Sequence, residues 1–251
     1  MQQYFIKERA EIGQSISFDE EQSHHMMHVV RMKKDDIVRI ADSSHRLFHV
    51  RIDIQKAGVC GQVIEELVDR TRASVEVTLI QGMIKGEKWD FLIQKACELG
   101  VSKIVPLISQ RSVVKIPREK LDKKLSRWNK IALEACEQCK RSTRAEVLPP
   151  ISLQEIAAYR SDVNLIAYEK ADAASEKLYH VLSTHPYPSS VTCVIGSEGG
   201  FAQEEVQILM KQEFCRISLG YRILRAETAA LSLLNTIDFY YDMIGDKNDK
   251  S

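Results

Sequence analysis

The chain has no run approaching the roughly 18 consecutive apolar residues that read as a bilayer-spanning helix, and no basic-then-apolar signal pattern opens it. A soluble, cytoplasmic protein is the expectation. It has no net charge, with 35 Lys and Arg against 35 Asp and Glu, so the overall balance does not by itself point to a polyanionic partner. Its six cysteines (Cys60, Cys97, Cys136, Cys139, Cys193, Cys215) are scattered through apolar patterns, and without an export signal they are not expected to pair. Cys136 and Cys139 form a lone C-x-x-C inside a helical pattern. A tetrahedral zinc site would need two further ligands that nothing supplies, so no metal is expected. The dinucleotide fingerprint G-x-G-x-x-G after a first strand is also missing, since Gly196, Gly199 and Gly200 have another spacing and come late. That counts against a nucleotide-binding oxidoreductase.

What is present is an ordinary globular composition, 44% apolar and 28% charged over 251 residues, enough for one large domain or two ordinary ones. The charge is unevenly spread. From Arg111 to Arg144 there are eleven basic residues against four acidic ones, the footprint of either a phosphate-contacting surface or a solvated helix face. His24, His25 and His28 cluster without third-ligand spacing, which suits a helix surface facing RNA or solvent.

Residues 1 to about 72 read as a compact, mostly β module. Ser17-Phe18-Asp19-Glu20 has capping-box spacing before a short helix from Asp19 to about Val30. Strands are expected at Ile37 to Ala41, Leu47 to Ile54 and Val59 to Leu67, separated by turn signals. Val68 to Ala73 is the expected linker, after which strand and helix alternate. Val75 to Ile80 is a strand run, Trp89 to Cys97 has helical spacing up to Gly100, and Ile104 to Ile108 is a second strand, together a βαβ unit implying a parallel sheet. Leu121, Leu125, Trp128, Ala132, Ala135 and Cys139 mark a long amphipathic helix with Lys123, Arg127, Lys130 and Arg141 on its other face. Ser152 caps another helix, Val163 to Tyr168 is a further strand, and a last helix from about Glu227 to Met243 is apolar over most of its circumference, which demands burial in a core or against a partner. A polar tail follows from about residue 246.

Two glycine-rich turns near the C-terminus carry the chemistry. Val194-Ile195-Gly196-Ser197-Glu198-Gly199-Gly200-Phe201 and Ser218-Leu219-Gly220-Tyr221-Arg222-Ile223-Leu224-Arg225-Ala226-Glu227-Thr228-Ala229 each follow a β-branched run and lead into a helical pattern. In an open α/β sheet such strand ends are where ligands bind. One such turn is equally well a tight structural connection. Two within about one βαβ unit, the second crowded with Arg222, Arg225, Glu227 and Thr228, suit a nucleotide-like ligand.

These strings closely resemble the signatures of the RsmE family of SPOUT-class methyltransferases. Lys95 to Val101, Glu134 to Arg141 and His25 to Arg31 resemble family segments as well, so the likeness covers nearly the whole chain. Ser197 stands where many members have Pro, Cys97 where Thr is usual and Cys139 where Ser is usual. The resemblance implies S-adenosylmethionine-dependent methylation of N3 of one uridine in small-subunit (16S) ribosomal RNA. It also implies an α/β SPOUT domain over residues 73–245 with a C-terminal trefoil knot, working as a homodimer, preceded by a PUA-like RNA-binding β-barrel over residues 1–72. Alternation alone would give an unknotted Rossmann-type sheet.

On that basis the cofactor-binding residues would be Tyr168, Glu169, Ile195, Gly196, Glu198, Gly199, Leu219, Gly220, Ile223, Leu224, Thr228 and Ala229. Arg222 and Arg225 would stabilise charge on the uracil, and Glu198 or Glu227 would accept the N3 proton or orient an arginine. Arg31, Arg46, Arg51, Lys123, Arg127, Lys130 and Arg141 would contact RNA. Ribose 2′-O methylation and a non-catalytic RNA-binding or ribosome-assembly role are the alternatives.

Overall fold

The computed structural model describes residues 1–112, 114, 116–168 and 176–248. The chain divides into two compact units, Met1–Arg72 with Cys136–Arg144, and Ala73–Ala135 with Ala145–Ser251.

The first unit is built on a five-stranded sheet. Its strands are β1 (Gln3–Phe5), β2 (Ser15–Ser17), β3 (Ile37–Ala41), β4 (Leu47–Gln55) and β5 (Gly58–Leu67), in the order β1-β3-β4-β5-β2. β1 pairs parallel with β3, and every other pairing is antiparallel. The three longer strands lie where alternation places them, within a residue at each end. β1 and β2, three residues each, are too short for a period-2 pattern to register. Tyr4, Phe18, Met26, Ile40, Phe48 and Val50 are among the side chains that fill the core. Helix α1 (Glu20–His24) is capped by Asp19, whose carboxylate accepts from the Gln22 amide at 2.8 Å while Gln22 returns a contact to the Asp19 amide. The capping box is therefore Asp19…Gln22 and not Ser17…Glu20, because the side chain must reach the third helical residue. The helix continues as a π-turn over His25–Val30 and ends at Arg31 in the left-handed region.

In the second unit every strand pairing is parallel. The strands are β6 (Glu76–Gly82), β7 (Lys103–Ile108), β8 (Glu146–Val147), β9 (Ile151–Ser152), β10 (Val163–Ala167), β11 (Glu176–Lys177), β12 (Ser190–Ile195) and β13 (Cys215–Ser218). Their order is β11-β13-β10-β12-β6-β7-β8, with β9 also on β7. The helices are α2 (Glu87–Glu98), α3 (Leu121–Gln138), α4 (Leu178–Thr184), α5 (Gln203–Lys211) and α6 (Ala226–Asn248). The helix capped by Ser152 is a 3-10 helix, Leu153–Tyr159. Inward residues such as Ile80, Val105, Ile166, Val194, Phe201 and Leu209 form one core. Burial of such a parallel sheet explains its nearly unbroken Val/Ile/Leu runs.

Helix α6 packs on α2, β6 and β12 through a stripe of Ala230, Leu233, Leu234, Ile237 and Tyr241. Burial is not complete around its circumference, as Phe239 is 64% exposed. The helix also runs past Gly245 to Asn248, beyond the expected start of the tail. No helix among the described residues is long and apolar enough to cross a membrane.

Candidate active site

Because β6, β10, β12 and β13 are parallel, the segments leaving them emerge at one end of the sheet. There they enclose a cavity of about 570 Å³. Its walls come from Ala167 and Tyr168 after β10, the turn Ile195 to Phe201 after β12, and Leu219 to Ala229 after β13, with Lys88 of α2 completing them. The two glycine turns, one βαβ unit apart in sequence, thus form one cleft, of a size that suits a small-molecule cofactor.

The first turn is held rigidly. Gly200 donates to the Ser197 carbonyl at 2.9 Å and has φ of +64°. Gln81, fully buried in β6, donates through Nε2 to the carbonyls of Gly82 (2.9 Å) and Gly196 (3.0 Å). Gly82 lies so close that a Cβ on it would sit 2.3 Å from the Ser197 nitrogen. Glu198 lines the cavity while its Oε1 accepts from the Lys85 amide at 3.1 Å, tying the turn to the segment before α2.

The second turn opens α6, whose first turn is closed by the Ala229 amide donating to the Arg225 carbonyl at 2.8 Å. Arg222 and Arg225 line the cavity, are exposed, and make no ion pair with any described residue. The partner of Glu227 is Lys88, 3.3 Å away, and not an arginine. Glu227 is only 12% exposed and its second carboxylate oxygen is buried without a hydrogen-bond partner. Two arginines with no ion pair among the described residues therefore line the cavity, beside a carboxylate anchored by one oxygen.

Of the expected cofactor residues, Tyr168, Ile195, Gly196, Glu198, Gly199, Leu219, Gly220, Ile223, Leu224 and Ala229 all line the cavity. Thr228 does not. It is exposed, because a helix turns each residue about 100° from the last and the cavity takes Glu227 and Ala229. Glu169 lies outside the described residues. Lys88, Gln81 and Gly82 were not foreseen. A glycine closing a strand is the one signal that could have singled out Gly82, and nothing local marks Lys88.

The cysteines play no part in the cavity wall. Burial pushes the Cys193 thiol far up, and that of Cys215 to about 11, with Glu176 adding to the effect. Neither offers a thiolate near neutral pH. Among the described residues no group of three or more His, Cys, Asp or Glu side chains could hold a metal ion.

The expected RNA contacts divide. Arg31, Arg51, Lys123 and Lys130 are exposed. Arg127 is exposed too, but its guanidinium grips both oxygens of Asp90. Arg46 is committed inside the first unit, donating to the Ala10 carbonyl at 2.6 Å, pairing with Asp42 and Glu66, and lying over the Phe48 ring. Arg141 is a correction. It is 6% exposed, its Nη2 donates to Thr143, and its carbonyl accepts from Gln3 at 2.6 Å. It lies past the end of α3, so the helical spacing that put it on an outer face no longer applies.

Comparison with known proteins gives concordant matches. The RNA methyltransferase domain family matches residues 71–238, and the RNA methyltransferase PUA domain family matches residues 18–64. Ribosomal RNA small subunit methyltransferase E of Bacillus subtilis (strain 168) is 34% identical over 97% of this chain and 98% of its own length. The protein of the same name from Buchnera aphidicola subsp. Acyrthosiphon pisum is 31% identical over 96% and 93%. Among solved structures, ribosomal RNA small subunit methyltransferase E from Neisseria gonorrhoeae bound to S-adenosyl methionine superposes with a TM-score of 0.85 at 27% identity, covering 95% of this chain and 97% of that one. A Legionella pneumophila methyltransferase in complex with the bound cofactor SAM superposes with a TM-score of 0.83 at 31% identity, covering 94% and 96%.

Proposed function

This chain belongs to the ribosomal RNA small subunit methyltransferase E family, and from that premise we propose that it methylates N3 of one uridine in small-subunit ribosomal RNA, using S-adenosylmethionine. The observation that carries the reading is the single cavity made from both glycine turns, with Arg222 and Arg225 facing it. The wall fits such a cofactor. Apolar Ile195, Leu219, Ile223 and Leu224 provide a surface for an adenine-type ring, and the glycines leave backbone groups open to the ligand. When bound, the cofactor supplies an activated methyl group.

The protein has to orient the acceptor base and help it lose the N3 proton. Arg225 and Arg222 place positive charge where the uracil oxygens become more negative as that proton leaves. Glu227, held by Lys88, is the carboxylate placed to take or steer the proton, whereas Glu198 is occupied with the Lys85 amide. The first domain, residues 1–72, and the exposed cations Lys123 and Lys130 dock the RNA. The catalytic domain extends over 73–245, and its knot and homodimeric state belong to the same proposal. Tyr221 and Phe239 are exposed apolar side chains that a second copy would cover. The reaction takes place in the cytoplasm, with no membrane involved.

Incubation with labelled S-adenosylmethionine and small ribosomal subunits lacking the modification should give labelled 3-methyluridine on nucleoside analysis. Label in a 2′-O-methylated nucleoside, or none, would overturn the proposal. Docking through phosphate contacts also makes affinity depend on salt. About three contacts predict a fall of roughly tenfold or more between ~50 and ~200 mM salt, measurable by filter binding. Affinity that stays level across that range would rule out the docking surface.

A further inference from the structure

Arg111 stands at the head of the basic run, where charge counting groups it with RNA-contacting cations. The structure gives it other work. Its Nη1 donates to the Gly199 carbonyl at 3.1 Å, and its own carbonyl accepts from the Ser197 hydroxyl at 3.2 Å. Its backbone and side-chain stem lie flat against Gly199, where an added Cβ would meet Arg111 Cβ at 3.0 Å and Arg111 O at 3.2 Å. One residue earlier, the Gln110 amide donates at 2.7 Å to Oε1 of the buried Glu205, whose Oε2 accepts from the Ala202 amide at 2.8 Å. The segment after β7 is thus tied to the turn and to the start of α5 by three hydrogen bonds, one of them to a carboxylate that serves both sides.

We propose that Arg111 is a positioning residue for the cofactor, setting the Gly199 peptide from behind so that the turn keeps its open shape before any ligand arrives. Ser197 extends the same device. Its hydroxyl ties the turn from outside to the Arg111 carbonyl. A pre-set turn loses less conformational freedom on binding, so the gain is in cofactor affinity and not in the methyl-transfer step. This rests on the cavity being the S-adenosylmethionine site, which the wild-type protein tests separately.

The experiment is isothermal titration of S-adenosylmethionine into wild type, Arg111→Ala and Ser197→Ala, with thermal unfolding of each with and without cofactor. Arg111→Ala is expected to raise Kd about tenfold and Ser197→Ala about threefold. Cofactor-induced stabilisation should shrink in proportion, with the cofactor-free melting temperature unchanged and, for Arg111→Ala, kcat at saturating cofactor preserved. Arg111→Ala with cofactor affinity within twofold of wild type overturns the proposal, and a raised KM for RNA alongside it would make Arg111 a phosphate contact. A lowered cofactor-free melting temperature with unchanged affinity would make the tie structural only. No binding to wild type would instead refute the cofactor site itself.

Discussion

Gly82→Ala is expected to weaken S-adenosylmethionine binding roughly 30- to 100-fold. The added carbon would lie 2.3 Å from the Ser197 nitrogen, 2.6 Å from the Gly196 carbonyl carbon and 3.0 Å from the Ser197 Cα. All three are backbone atoms, so no rotamer change relieves the contact. Neither can the strands part freely, because β6 and β12 are in register up to Gln81 and Ile195, and Gln81 holds the Gly196 carbonyl. The turn must move, and with three backbone atoms in the way the cost falls in the upper part, about 2–3 kcal/mol, of the roughly 1–3 kcal/mol typical of overpacking. Since about 1.4 kcal/mol is tenfold in a binding constant, a cost falling on the turn gives the stated range. Titration calorimetry measures it, with thermal unfolding to show how much of the strain is shared by the sheet. An alanine variant that binds the cofactor like wild type would mean the turn is not part of its site.

Arg225→Ala should lower kcat by about 10²–10³ while leaving cofactor affinity within threefold, the size seen when one preorganised donor to a developing negative charge is removed. The separation of effects follows from the surroundings. Arg225 lines the cavity without an ion pair among the described residues, and its backbone carbonyl, which accepts from the Ala229 amide, is kept by alanine. Folding therefore has little to lose, and the cofactor-free melting temperature should stay within ~1 °C of wild type, as for other substitutions that break no packing. Single-turnover methylation of small subunits lacking the modification is the measurement. A variant as fast as wild type would remove Arg225 from the chemistry and leave Arg222 as the guanidinium to test.

Much of the site was legible before any coordinates because its glycines and arginines lie in two unbroken strings, and ten of the proposed cofactor residues do meet in one cavity. What stayed hidden lies across the sheet or on a different helix. Lys88, more than a hundred residues from Glu227, becomes its partner only because the first turns of α2 and α6 are brought together. Arg46, Arg127 and Arg141 look alike to a charge count, yet one is folded over Phe48, one grips Asp90 and one is buried. A run of cations records how much charge is available, while its commitment depends on acidic side chains and carbonyls far away in the chain.

The sequence by itself determined the longer strands and helices, the change from a β module to alternating strand and helix, and the two glycine turns, since each is set by neighbours a few residues apart. Tertiary structure alone decided that both turns share one cavity, that Gly82 and Arg111 brace the first of them, and that Lys88 holds Glu227. Periodicity and turn chemistry act over a few residues, whereas strand order and close backbone approach arise only when distant segments pack together.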